Sequence, residues 1–179
     1  GATNMITRIA GAYYDSIPVL YITGQVSTFR SKDRFGVRQL GFQETDILSI
    51  CRSITKYAIR VDDPLRIRFE LEKAVYLARH ERPGPVLVDI PDNLQREQID
   101  PNRLEGFVPE KKEEVILVGE DTLEACIVER CLPLLEQAKR PMLILGWGVQ
   151  LSDARSLAKL FAEKLGFPVA LTWAMRDNM

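Results

Sequence analysis

Residues 82–91 read RPGPVLVDIP, and this stretch decides the fold. Pro83-Gly84 is a turn signal, and Val86 to Ile90 is a short apolar run that stops at Pro91, the mark of a buried strand. Upstream, Pro18 restricts Ile17 to an extended conformation, and Val19 to Thr23 (VLYIT) is a second continuous apolar run. Runs that are apolar throughout, rather than alternating, suit strands covered on both faces of a parallel sheet.

Outward from these strands, helical periods alternate with further strands. Thr3 or Asn4 can cap a helix from Met5 to Tyr14, with Met5, Ile6, Ile9, Ala10 and Tyr13 on or near one side. Glu44 to Ile50 reads as a short helix and Thr55 to Val61 as a strand. Asp62 or Asp63 then caps a helix with Pro64 at its favoured first position, running to about Arg79. Its apolar side is Leu65, Phe69, Ala74, Leu77 and Ala78, flanked by Leu71 and Val75. After Asp92 the chain turns polar: NLQREQIDPNRLEGFVPEKKEE reads as an inter-domain linker, pinned by Leu104, Phe107 and Val108. A second unit begins near Asp121, which with Glu124 resembles a capping box; Leu123, Ile127, Cys131, Leu134 and Leu135 form its stripe. Then come a strand from Met142 to Gly146 and a helix from Ser152 or Asp153 with Ala154, Leu157, Ala158, Phe161 and Leu165 inward. Gly166 is its cap, and Pro168 to Thr172 is the last strand. The order is that of an α/β layer architecture in two linked units.

Composition narrows the function classes. The 179 residues are 46% hydrophobic and 27% charged with a formal charge of -1, which excludes a disordered or collagenous chain and argues against a general nucleic-acid binder. No apolar stretch is long enough for a membrane span and no basic-then-apolar leader opens the sequence, so a cytoplasmic location without membrane contact is expected. Cys51, Cys126 and Cys131 form no CxxC, against a disulfide scaffold or zinc site, and Cys126 and Cys131 read as helix-core residues. His80 is the only histidine and ends a helix, which excludes any mechanism needing several. The chain opens on GATNMITRIAGAYY and stops at TWAMRDNM directly after a strand, so both ends read as cut.

Residue patterns give several candidate sites. Gly24 to Gly41 has no helical or strand period, and its Arg30, Lys32, Arg34 and Arg38 outweigh Asp33; it is either a binding or covering segment or a solvated loop. Gly1-Ala2-Thr3-Asn4 opens a helix. Gly146 to Val149 (GWGV) follows a strand's carboxyl end, where open α/β sheets bind ligands. Asp89 and Asp92 are a carboxylate pair or routine strand-end residues, and Phe42-Gln43-Glu44 follows the basic loop.

The segments GATNMITRIAGAYYDSIPVLYITGQV, GFQETDILSICRSITKYAIRV, RPGPVLVDIPDNLQ, KRPMLILGWGV and AEKLGFPVALTW, in this order and spacing, resemble the large-subunit acetolactate synthase family of thiamine diphosphate enzymes. The resemblance implies α/β, parallel-sheet three-layer domains. Residues 1–92 would be the later part of a pyrimidine-binding domain, 93–118 a linker, and 119–179 the first half of a Rossmann-like middle domain. It places Gly1, Ala2 and Asn4 beside the cofactor, and gives Phe42 a packing role and Gln43 a hydrogen-bonding role near the thiazolium, as the catalytic candidates. Arg82, Gly146 and Gly148 match residues that contact FAD in flavin-containing members, with Trp147 where most members have a third glycine. The activating glutamate is expected upstream of Gly1 and the Mg2+ site in a domain downstream of Met179, so this piece alone is expected to be inactive. The implied activity is decarboxylation of a 2-keto acid such as pyruvate and transfer of the two-carbon unit to a carbonyl acceptor, by a homodimer or homotetramer. SKDRFGVRQLGFQE and TWAMRDN depart from the biosynthetic pattern toward a subgroup that includes enzymes of nucleotide-linked keto sugars. Simple 2-keto acid decarboxylation is a further enzyme alternative, and a non-catalytic structural or dimerisation module is the alternative of another class.

Overall fold

A computed structural model describes residues 1–109 and 120–175. The chain divides into two compact units, Gly1–Glu110 and Lys111–Met179.

The first unit is built on three parallel strands, β1 (Leu20–Gln25), β2 (Tyr57–Arg60) and β3 (Val86–Pro91), in the order β1-β3-β2. Val86, Leu87 and Val88 are fully buried because β3 is central and both its faces are covered. Helix α3 (Ile67–Arg79) packs on one face, where Val86 and Val88 meet Val61, Ala74 and Ala78. Helices α1 (Ile6–Tyr14) and α2 (Ile47–Cys51) cover the other, where Leu87 meets Ile9, Ile47 and Cys51. The alternation of Val86, Leu87 and Val88 between two clusters is the strand's period of two, and it makes a three-layer α/β/α unit.

Element boundaries differ from expectation where side chains compete for backbone groups. The chain starts in a 3₁₀ turn, Ala2–Met5, before α1, and neither Thr3 nor Asn4 caps it with its side chain. Strand β1 runs on to Gln25 because its ladder with β3 continues, Gly24 opposite Ile90 and Gln25 opposite Pro91. Helix α2 starts at Ile47 rather than Glu44, since the Asp46 carboxylate caps it, accepting from the Ser49 N–H at 3.1 Å. Asp63 caps a 3₁₀ turn, Pro64–Arg66, that leads into α3; Leu65 and Val75 are exposed rather than in the apolar face. The basic segment holds two 3₁₀ turns, Thr28–Arg30 and Lys32–Arg34.

After β3 the polar segment lies along this unit. Leu104 is buried, the Phe107 ring meets Phe69 at 5.4 Å and Tyr76 at 5.5 Å, and the Phe107 N–H donates to Glu72 at 2.7 Å. Val108, expected to pin the segment with them, is exposed.

In the second unit, α4 (Glu120–Gln137) is followed by β4 (Leu143–Leu145), α5 (Gly148–Leu151), α6 (Arg155–Leu165) and β5 (Val169–Leu171), with β4 parallel to β5. The helix expected from Ser152 or Asp153 starts at Arg155, and the short α5 precedes it, closed where the Ser152 hydroxyl donates to the Gly148 carbonyl. Gly166 ends α6 at φ 63°, the left-handed conformation that glycine adopts without a Cβ penalty. Leu134, Cys131, Leu157 and Phe161 are exposed rather than inward, since two strands of three residues each offer little sheet to cover them. The side chains of Asp121, Leu123, Glu124 and Cys126 lie outside the described residues. No described helix is long and apolar enough to cross a membrane.

Candidate functional site

Parallel strands present alternate side chains to each face, and those at their carboxyl ends line the edge where loops leave the sheet. On the face of α1 and α2, that edge collects Thr23 and Gln25 from β1, Arg60 from β2 and Asp89 from β3. The Asp89 carboxylate is 1% exposed; it accepts from the Thr23 hydroxyl at 2.5 Å and from the Gln25 amide at 3.2 Å. Burial pushes the Asp89 carboxyl above the usual carboxylate range, against the hydrogen bonds from Thr23 and Gln25. Gln25 is fully occupied: its amide nitrogen also donates to the Thr45 carbonyl at 2.9 Å, and its oxygen accepts from the Val26 N–H at 3.0 Å. Asp89 thus fixes Gln25, and Gln25 fixes the segment that follows Gln43.

That segment is anchored a second time by Glu44. One carboxylate oxygen accepts from the Lys32 N–H at 2.7 Å, and the other from the N–H groups of Leu40 at 3.0 Å and Gly41 at 3.1 Å. Burial raises the Glu44 pKa, but the three backbone donors and Lys32 outweigh it and hold the carboxyl below its ordinary value. Gly41 is required here, for a Cβ would come within 2.5 Å of the Val26 side chain. Gln43 itself sits at φ 53°, a left-handed backbone conformation that non-glycine residues avoid and that recurs at functional sites.

Two clefts open at this edge. The larger, about 620 Å³, is lined by Gly1, Ala2, Thr3 and Asn4 from the chain start, Gly24 and Gln25 from β1, and Arg38, Gln39, Gln43, Glu44, Thr45 and Ile47. The smaller, about 280 Å³, is charged: Arg60 pairs with Asp33 at 3.2 Å and Asp62 at 2.9 Å beside Lys32, Asp46 and Asp89. The Arg60 guanidinium holds the Asp33 carboxyl below its usual value.

The fold therefore brings Gly1, Ala2, Asn4 and Gln43 to one cleft. Phe42 does not line it; its ring is 88% exposed beside it. Arg82 lies at the opposite, amino end of the sheet, where its Nε donates to the Ser16 hydroxyl at 2.7 Å near Tyr13, Tyr14 and Lys56. A six-residue β3 separates the two ends, roughly 20 Å. Gly146 and Gly148 belong to the second unit, on the turn between β4 and α5; a Cβ at Gly148 would meet nothing within 4 Å. Between them, the Trp147 indole N–H is buried without an acceptor among the described residues.

Other sequence candidates separate from the site. Asp92 pairs with Arg96 at 2.8 Å, while Asp89 accepts from Thr23 and Gln25. The His80 ring stacks on Tyr76 at 4.6 Å. Cys51 is in the core, its thiol pushed up by burial. Thr23, Gln25, Gln39 and Arg60 were not singled out by sequence patterns; the period of two along β1, β2 and β3 is the signal that places Thr23, Gln25 and Arg60 with Asp89.

The amide side chains of Asn4 and Gln43 and the glycines beside them are a donor set that fits a heteroaromatic ring carrying both hydrogen-bond donors and acceptors. Comparison with known proteins shows the family of the chain. Residues 1–50 match the family model of the thiamine pyrophosphate enzyme N-terminal TPP binding domain, and residues 128–179 that of the thiamine pyrophosphate enzyme central domain. The chain belongs to the thiamine pyrophosphate enzymes. Within them it is 38% identical to the acetolactate synthase large subunit of Corynebacterium glutamicum over 96% of this chain and 26% of that protein. It is 35% identical to acetolactate synthase 2, chloroplastic, of Nicotiana tabacum over 96% of this chain and 24% of that protein. Glyoxylate carboligase of Escherichia coli is 35% identical over 95% of this chain and 26% of its own length. The chain spans about a quarter of the length of these curated relatives.

Proposed function

We propose that the protein to which this chain belongs uses thiamine diphosphate to decarboxylate a 2-keto acid, pyruvate in the first instance, and to transfer the two-carbon unit to a carbonyl acceptor. The observation that carries this reading is the single cleft shared by Gly1, Ala2, Asn4 and Gln43 at the carboxyl end of β1, in a chain matching the TPP binding domain. Bound there, thiamine diphosphate supplies the nucleophilic carbon and the electron sink that decarboxylation needs. Asn4 and the chain beside Gly1 and Ala2 would hold its pyrimidine side. Gln43 would hydrogen-bond at the reacting carbon, held by its left-handed backbone and the Glu44 and Gln25 anchors, with Phe42 packing over the opening. Fixing the amide in advance matters because only groups already oriented toward developing charge lower the barrier without reorganising.

Mg2+, which would accompany the diphosphate, belongs in our reading to a segment outside this chain. FAD is proposed for the second unit, at Gly146 and Gly148: Gly148 leaves backbone open to a ligand edge, and the Trp147 indole N–H is a buried donor that a ligand acceptor would satisfy. The reading includes a homodimer or homotetramer in the cytoplasm.

A second reading is favoured by the likeness to glyoxylate carboligase: glyoxylate as donor and acceptor in the same site. The test is carbon dioxide release by the full-length protein with thiamine diphosphate and magnesium, supplied with pyruvate or glyoxylate, and product analysis by mass spectrometry. Acetolactate from pyruvate supports the first reading and tartronate semialdehyde from glyoxylate the second. Carbon dioxide release without a condensed product identifies a simple decarboxylase. No release from either acid overturns the enzyme reading in favour of a structural module.

A further inference from the structure

The fold separates the cations of the Gly24–Gly41 segment. The Arg30 guanidinium lies 5.6 Å from the centre of the Phe29 ring, and Lys32 lines the charged cleft with Arg60. Arg38 alone of the described basic side chains in that segment lines the larger cleft with Asn4 and Gln43. We propose that Arg38 is the specificity-determining residue that binds an anionic group, carboxylate or phosphate, on the carbonyl acceptor; this rests on the carboligase reading of the site.

The charge balance of the cleft supports it. Two ionised side chains line this space, Arg38 and Glu44. Both Glu44 oxygens are committed to the backbone N–H groups of Lys32, Leu40 and Gly41, and Arg38 has no ion-pair partner among the described residues. The guanidinium therefore offers its planar fork of donors to whatever enters, and that fork matches a carboxylate or phosphate with two parallel hydrogen bonds. The backbone that follows Arg38 is held: the Gln39 amide donates to the Gly41 carbonyl at 2.9 Å, and Leu40 and Gly41 donate to Glu44.

The chemistry of the reaction assigns the anion to the acceptor rather than the donor. The donor's carboxylate leaves as neutral carbon dioxide, its bonding electrons staying with the carbon skeleton. A guanidinium paired to that carboxylate would stabilise the ground state more than the transition state and slow the step. An anion on the acceptor keeps its charge from binding through bond formation, so pairing it with Arg38 lowers KM without penalising chemistry.

The test uses the full-length protein with pyruvate as donor and paired acceptors: 2-oxobutyrate against propanal, and glyceraldehyde 3-phosphate against glyceraldehyde. Arg38→Gln is expected to lower kcat/KM for an anionic acceptor roughly 10- to 100-fold more than for its neutral counterpart, mostly in KM. Arg38→Lys, which keeps charge and loses the fork, is expected to recover part of that preference. Loss confined to the 2-oxobutyrate pair identifies a carboxylate, and loss confined to the phosphate pair a phosphate. Calorimetric titration with 2-hydroxybutyrate and with glycerol 3-phosphate, which cannot react as acceptors, reads the same contact without turnover. There the variant is expected to weaken binding of one of them by the same factor. Equal loss for charged and neutral acceptors, or unchanged affinity for both titrants, overturns the proposal. If the wild-type protein releases no carbon dioxide from pyruvate or glyoxylate, the carboligase reading fails, and the titrations still decide whether Arg38 binds an anion.

Discussion

The two ends of the β1-β3-β2 sheet are made by the same three strands and differ in what the chain does with its polar groups. At the amino end, Arg82 donates to Ser16 and Lys56 donates to the His80 carbonyl at 2.5 Å, two separate bonds that each tie one turn to another and share no group. At the carboxyl end, Asp89, Thr23, Gln25 and Thr45 form a network across residues far apart in sequence, and it ends on a cleft holding Gln43 and Arg38. Polar groups at one end join neighbouring turns, and at the other they hold side chains ready for a ligand. The difference teaches where stability and function can be separated by mutation.

The largest expected effect is on what both ends share. Leu87 is fully buried between β1, β2 and the α1/α2 layer, so Leu87→Ala leaves a cavity and should cost about 2–5 kcal/mol, read by denaturant unfolding. If only one end loses amide protection, the sheet is not the common support that the comparison assumes.

Much of this support is legible in the sequence. The continuous apolar run at Val86–Val88 declares a strand covered on both faces, and Ile9 and Ala74 fall where a helical period puts them; the like run in β1 does not end up covered on both faces, for Ile22 of this edge strand is exposed. The carboxyl-end network is only half legible. Strand alternation aligns Thr23, Gln25, Arg60 and Asp89, but nothing periodic says that Glu44 binds three backbone N–H groups twelve or fewer residues away. Loop hydrogen bonds follow the path of the chain rather than a repeat, and so escape pattern reading. The same holds for Arg38 lining the cleft while Arg30 lies over Phe29. Phe42, placed at the site by resemblance, is exposed and flanks the left-handed Gln43.

Next in size is Gln43. In the full-length protein, Gln43→Ala should lower kcat/KM about 100-fold, the loss of some 2.7 kcal/mol of transition-state stabilisation. Gln43→Gly should lose the same activity and gain about 1 kcal/mol of stability, because glycine removes the cost of φ 53°. A melt of both variants beside the wild type checks the second part; a destabilised glycine variant would mean the amide also serves the fold.

Asp89 sharpens the comparison through pH. Its folded-state pKa is raised by burial above the ordinary carboxylate value, so the native state holds its proton over a window in which the unfolded chain has lost it. Stability from this group is therefore full below that window and declines as pH rises through it. Asp89→Asn removes this slope: relative to wild type, the variant should gain stability as pH rises from about 4. Loss of the carboxylate also releases one acceptor of the Gln25 amide, so amide exchange at Thr45 should quicken. A difference between the two proteins that does not change with pH would place the network's strength in hydrogen bonding alone.

The smallest effect is expected at the amino end. Arg82→Ala removes one hydrogen bond to Ser16, a buried residue that itself carries φ 57°. The Arg82 side chain lines a recess with Tyr14 and Lys56, so its removal should let water reach the Ser16 hydroxyl, and the cost should be about 0.5–1.5 kcal/mol. For a chain of this size that is a shift of roughly 2–6 °C in Tm. Activity at the opposite end, some 20 Å away, should follow stability only. The full-length protein gives a second readout, because the resemblance places Arg82 against a flavin. If Arg82→Ala removes a flavin absorbance band while Tm barely moves, the amino end is also a ligand site, and the division of labour between the two ends of the sheet gives way.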